Sequence, residues 1–149
     1  MQNLLDAAER LRETGLLERP APPDTRINMI DTRDVAAVAA TVLVDPDDAD
    51  ATYKLTGRRP IPLAEVGETL TRLVGRDVTY REVGPEEATE LFVDQGSPEW
   101  LAREQVALFR GFAKGAGDVR TDDVESLLGC RPRTLREFAD DHADEFRVE

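Results

Sequence analysis

Residues 27–57 read INMIDTRDVAAVAATVLVDPDDADATYKLTG, and this pattern sets the fold expectation for the whole chain. Ile27, Met29 and Ile30 form a short apolar run. It gives way to Asp31, Thr32 and Asp34, which favour helix N-caps because their side-chain oxygens accept from free backbone N–H groups. Val35, Val38, Ala39, Val42 and Leu43 then recur at helical spacing and give one apolar face. Ala36, Ala37 and Ala40 between them lose no side-chain entropy. Asp45-Pro46-Asp47-Asp48 stops the helix, since proline has no N–H to donate. Residues 52–55 read as a second strand, and Gly57 permits the turn after it. The expectation is a β-α-β unit, with a right-handed crossover if its strands are parallel neighbours. Helix capping is the plainer role for Asp31 and Asp34; facing a ligand is the other.

Residues 1–149 read as a single domain, long enough for a real core. A hydrophobic content of 40% fits a soluble globular protein. No apolar run approaches the roughly 20 residues of a bilayer span, and no basic leader region opens the chain, so a cytoplasmic location is expected. The single cysteine, Cys130, excludes an internal disulfide framework and is expected to be small and semi-buried. The formal charge is −12. Nucleic-acid binding needs clustered cations to neutralise phosphate. Here Arg58, Arg59, Arg131, Arg133 and Arg136 are scattered among acids, so no direct nucleic-acid partner is expected.

Outward from the central stretch, residues 1–14 read as a helix already in phase at its first residue, with Leu4, Leu5, Ala8 and Leu11 on one face. No capping residue precedes them, which suggests an upstream part outside this chain. Gly15 ends the helix, and residues 18–24, with Pro20, Pro22 and Pro23, read as a stiff loop. Leu63, Val66, Leu70, Leu73 and Val74 make a clean helical stripe stopped by Gly75. Residues 77–83 have strand composition. Gly84-Pro85-Glu86-Glu87 opens a helix burying Ala88, Leu91 and Phe92. Ser97-Pro98-Glu99 opens another, with serine as cap and proline in first position, running through Trp100, Leu101, Leu108, Phe109 and Phe112. Thr121-Asp122-Asp123 starts a short helix with Val124, Leu127 and Leu128 inward, closed by Gly129. Thr134-x-x-Glu137 is a capping box for the last helix, with Leu135, Phe138, Ala139, His142 and Phe146 on one side.

Much of the functional content is exclusion. One histidine and one cysteine leave no His/Cys metal cluster. Counted from Asp45, the acidic turn puts Asp50 and Thr56 where an EF-hand needs glycine and glutamate, so calcium fails. Ser97 and Ser126 lie in no nucleophile-elbow setting. Gly115-Ala116-Gly117 lacks the preceding strand and third glycine of a dinucleotide fingerprint. His142 on an apolar face reads as a satisfied imidazole before a catalytic base. No catalytic residue is assigned.

The order of segments nevertheless resembles a known family. Residues 1–5 (MQNLL) resemble the end of an F-M-x-N-L-L stretch, residues 30–36 (IDTRDVA) an I-D-x-x-D-V-A segment, and residues 53–57 (YKLTG) a Y-x-L-T-G strand. Residues 63–66, Gly96-x-Pro98-x-Trp100, residues 121–124 and residues 133–138 follow in the same order. The chain so resembles the C-terminal part of NmrA-like proteins, atypical members of the short-chain dehydrogenase/reductase superfamily.

That resemblance implies an α/β, helix-rich fold: a β-α-β remnant of a Rossmann-type sheet edge, then a mainly helical substrate-side subdomain. It implies NAD(P) as cofactor of the complete protein. The Gly-rich half that grips the pyrophosphate would lie outside this chain, so none is expected to bind the chain alone. Members include reductases of small quinone-like or azo substrates and redox-sensing regulators. Asn3, Phe92 and Trp100 become the expected substrate-pocket residues. The plainer alternative is a surface position for Asn3 and a core anchor for Trp100. A rival reading is a non-catalytic interaction module that self-associates or pairs with a complementary Rossmann half. Exposed strand edges and apolar faces would drive that pairing.

Overall fold

The computed structural model describes residues 1–44 and 51–146. A 3-10 turn, Gln2–Ala7, runs into helix α1, Ala8–Thr14, so the expected N-terminal helix is present but more tightly wound at its start. Gly15 ends it in the left-handed region at φ 69°, where a side chain would be strained. Strand β1, Leu16–Arg19, follows at once. This corrects the loop expected from residue 18: the prolines begin only at Pro20, and the backbone before them is free to pair. β1 lies parallel to β4, Thr79–Glu82, with Leu16 opposite Thr79 and Arg19 opposite Glu82.

Between these strands come β2 (Arg26–Ile27), α2 (Thr32–Val44), β3 (Ile61–Pro62) and α3 (Leu63–Val74). After β4 the chain is helical: α4 (Pro85–Asp94), α5 (Glu99–Ala113), α6 (Asp123–Leu128), α7 (Leu135–Asp141) and α8 (Ala143–Phe146). The helix-rich α/β class therefore holds, with β1 and β4 as its parallel pair.

Residues 27–57 do not supply that pair, and here the expectation is corrected. Ile27 pairs antiparallel with Ile61 in a two-residue ladder. Residues 52–55 form no strand. Side chains take the place of a ladder: the Asp123 carboxylate accepts from the Lys54 N–H at 2.6 Å, and the Thr121 N–H donates to the Thr56 hydroxyl at 3.0 Å. A Cβ on Gly57 would stand 2.1 Å from the Met29 carbonyl oxygen, so this glycine serves a close backbone approach rather than a turn. The stop at Asp45-Pro46-Asp47-Asp48, and Asp50 with it, lies outside the described residues.

One core joins α1, β1 and α3 to the C-terminal helices through Leu11, Leu17, Val66, Leu70, Phe138 and Phe146. A second gathers Val83, Ala88, Leu91, Phe92, Ala102 and Val106 between α4 and α5. The stripes read on α4 and α7 are buried as expected, and the Thr134–Glu137 capping box is formed. Several side-chain expectations fail. Pro98, not Ser97, is the residue before α5, and no side chain caps that helix. Trp100 is 67% exposed rather than a core anchor. It stands two residues before Ala102, about 200° around the helix from the buried Ala102–Val106 line. Cys130 is exposed.

Asp31 and Asp34 are both buried, with different roles. Asp31 caps α2, accepting from the Arg33 N–H at 2.9 Å, and also receives the Arg33 guanidinium and the Gln2 amide. Asp34 instead reaches across the fold, accepting from the Arg133 N–H at 2.7 Å and from its guanidinium. That corrects the capping role expected for it. Burial pushes the Asp31 carboxyl up, but the bonds from Arg33 and Gln2 outweigh burial and hold it well below the usual range. The unfolded chain, with a pKa of about 3.9, then takes up the proton first as pH falls. Stabilisation from Asp31 is thus full at neutral pH and is lost progressively below about pH 4. Urea midpoints measured between pH 7 and pH 3 should fall less steeply for Asp31→Asn than for the parent; identical slopes would show that another group controls the acid limb.

Candidate functional site

A cavity of about 220 Å³ lies where the N-terminal turn, β1, the residues after β2 and helices α3 to α5 converge. β1 contributes Leu17 and Arg19, two residues apart and so on one face of the strand. Glu18 between them points the other way and is held by Arg10 and Arg81. Burial pushes the Glu18 carboxyl up, yet the two guanidinium bonds prevail and its pKa is lowered.

The aromatic wall comes from α4 and α5. Phe92 and Phe109 stack with centroids 6.2 Å apart, and Phe109 meets Phe112 edge-on at 5.8 Å. Gln105, Phe109 and Phe112 all line the cavity because their i, i+4, i+7 spacing keeps them on one helix face. Arg19 is only 7% exposed, and its guanidinium carbon lies 5.8 Å from the Phe92 ring centre, within cation–π range. Its Nη1 donates to the Glu18 carbonyl at 2.7 Å. Burial pushes the Arg19 pKa down, against the opposing pull of Tyr80, Asp6 and Glu18. The Gln105 Oε1 atom is buried with no hydrogen-bond partner among the described residues. The site is an apolar, aromatic slot with two under-used polar groups, the form that small-molecule recognition requires.

Of the residues expected to line a substrate pocket, Asn3 and Phe92 do line this cavity, and Trp100 does not. His142 is not among the lining residues either; its ring stands 4.5 Å from Phe138. Arg19 escaped the sequence reading because residues 18–24 read as a loop. Gln105 was on view within a helical stripe, but nothing local marks one glutamine among exposed polar neighbours. Among the described residues no group of His, Cys, Asp or Glu could hold a metal ion, and no helix is long and apolar enough to cross a membrane.

Comparison with known proteins gives a consistent answer. No protein-family profile matches the chain. It is 34% identical over 98% of its length to an NAD(P)H azoreductase of Xenophilus azovorans, covering 51% of that protein. An NADPH-dependent quinone oxidoreductase of Escherichia coli superposes with a TM-score of 0.83 at 26% identity, covering 94% of this chain and 50% of that one. The Citrobacter sp. triphenylmethane reductase, solved with NADP(H), gives 0.81 at 26% identity, covering 91% and 47%. Fold and sequence together place the chain in the family of Rossmann-type, NAD(P)-binding reductases. Within that class the chain is NmrA-like, and it spans about half the length of the curated relatives it matches.

This cavity does not fit a whole dinucleotide. A cavity of 220 Å³ falls below the roughly 300–1,000 Å³ of ordinary ligand pockets. Gly115-Ala116-Gly117 follows helix α5, where no strand delivers a pyrophosphate to a helix N-terminus. The space is bordered by the Phe92 and Phe109 rings and by the polar atoms of Arg19 and Gln105. The orphaned Gln105 oxygen costs about 1–3 kcal/mol of desolvation. Gln105→Met, similar in length and without that oxygen, should raise the melting temperature by a few degrees; a lowered one would mean that the amide already has a partner.

Proposed function

We propose that this chain forms the C-terminal, substrate-side part of an NAD(P)H-dependent reductase of small aromatic electron acceptors, of the quinone or azo kind. The observation that carries the reading is the cavity itself, an aromatic slot with a buried cation in its wall. Its supports are the azoreductase and quinone oxidoreductase among the relatives. The role of these residues is to bind and orient the acceptor. Phe92 and Phe109, stacked on each other, flank a flat ring and exclude water from it, while Arg19 and Gln105 set which edge enters. The dinucleotide is held by structure beyond the residues described, and the chain alone reduces nothing.

Titration calorimetry separates the two halves of this statement. Trp100 stands outside the cavity, so heat is a better reporter than its fluorescence. A soluble naphthoquinone should bind with one-site saturation, and NADPH should give only dilution heat. Saturable NADPH binding at micromolar concentration would overturn the division of labour.

A second reading, self-association or docking onto a complementary half, draws on a specific observation. β1 and β4 each have one strand partner among the described residues, and Leu43 and Val44 at the end of α2 are 85% and 81% exposed. Open strand edges and apolar side chains in water favour association. Light scattering at two concentrations should then give a mass above 16.6 kDa; a monomer at both would remove this reading.

A further inference from the structure

Packing does not account for Arg19. A buried guanidinium costs free energy unless it is paired. Arg19 is 93% buried by the same exposure of 7%, and no acidic side chain among the described residues forms an ion pair with it. Its Nη1 donates instead to the carbonyl of its own neighbour, Glu18. A guanidinium carries five donors in a planar fork that matches the two oxygens of a carboxylate. Most of that capacity is unspent on the protein. Asp6 also lines the cavity and attracts Arg19 through space, but no bond joins them.

The position of the cation adds a second constraint. Its contact with the Phe92 ring fixes where the guanidinium sits relative to the aromatic wall. A ligand whose ring packs against Phe92 and Phe109 therefore brings its own substituent toward Arg19. A neutral hydrocarbon would leave the cation unpaired and drier than before. An oxygen anion would pair it.

We propose that Arg19 is the specificity-determining residue of this cavity, which takes a one- or two-ring aromatic bearing an anionic oxygen group, a carboxylate or sulfonate, with the oxygens seated on the guanidinium. This rests on the reading of the cavity as the acceptor pocket and narrows its substrate class. Charge-assisted bonds of this kind are roughly twice as strong as neutral ones, and the aromatic slot excludes the competing water.

The test uses the full chain and two ligands of nearly equal shape, 2-naphthoate and the neutral 2-naphthamide, titrated by calorimetry at pH 7.5. Naphthoate should bind at least about tenfold more tightly. Arg19→Gln should bring the two affinities within about twofold by weakening naphthoate alone, because the amide ligand never used the charge. Equal affinities in the parent, or a preference that survives Arg19→Gln, would overturn the assignment to Arg19 and leave the aromatic pocket standing. Failure of both ligands to bind would remove the pocket reading itself and this inference with it. Should Arg19→Gln unfold, Arg19→Lys keeps the charge without the fork and should give an intermediate preference, while the comparison within the parent stands on its own.

Discussion

The buried carboxylate of Glu18, gripped by Arg10 from α1 and Arg81 from β4, is the contact from which the rest of the arrangement follows. Arg81 also reaches Glu87 on α4, so one cluster of charge links the first helix, both parallel strands and the start of the helical half. Buried ion pairs often gain little over apolar replacements, because desolvation offsets attraction. The consequence here is geometric. A strand alternates, so fixing Glu18 to one side commits Leu17 and Arg19 to the other. Leu17 closes the main core there and Arg19 enters the cavity wall.

A second set of charged contacts does for α2 and the C-terminal helices what Glu18 does for the sheet. Asp31 holds Arg33, and Arg33 holds Asp141 at the end of α7. Asp34 holds Arg133 just before α7. Two acids at the start of one helix therefore fasten the last third of the chain. With 31 acids against 19 basic residues, the chain carries far more carboxylate than it can pair. Each of the buried acids, Glu18, Asp31 and Asp34, is given an arginine, since an unpaired buried charge is the costly case.

Local chemistry made much of the helical half legible. The Pro85 helix start, the Gly75 and Gly129 stops and the Thr134–Glu137 box are decided by one or two residues and their backbone preferences, and the structure keeps them. The apolar stripe of α4 was equally plain. Trp100 is no core anchor despite its size because helical phase decides: a large ring on the wrong side of a helix stays in water. Phe92 was readable as buried, and Asn3 entered through resemblance rather than through any pattern of its own.

Residues 27–57 show where a sequence stops deciding. Two apolar runs around an amphipathic helix describe a β-α-β unit well, yet β-pairing depends on which backbone lies alongside, and that is settled by distant parts of the chain. Thr121 and Asp123 take the backbone partners of residues 54–56, and β4 takes the parallel place beside β1. The sequence by itself determined most of the helices, several of their ends and the class of protein, because those rest on neighbours within a few positions or on the order of segments along the whole chain. Only the tertiary structure decided the strand pairs and the site. A cavity is a space between elements, and the burial that makes Arg19 a recognition group exists only once β1, α4 and α5 have closed around it.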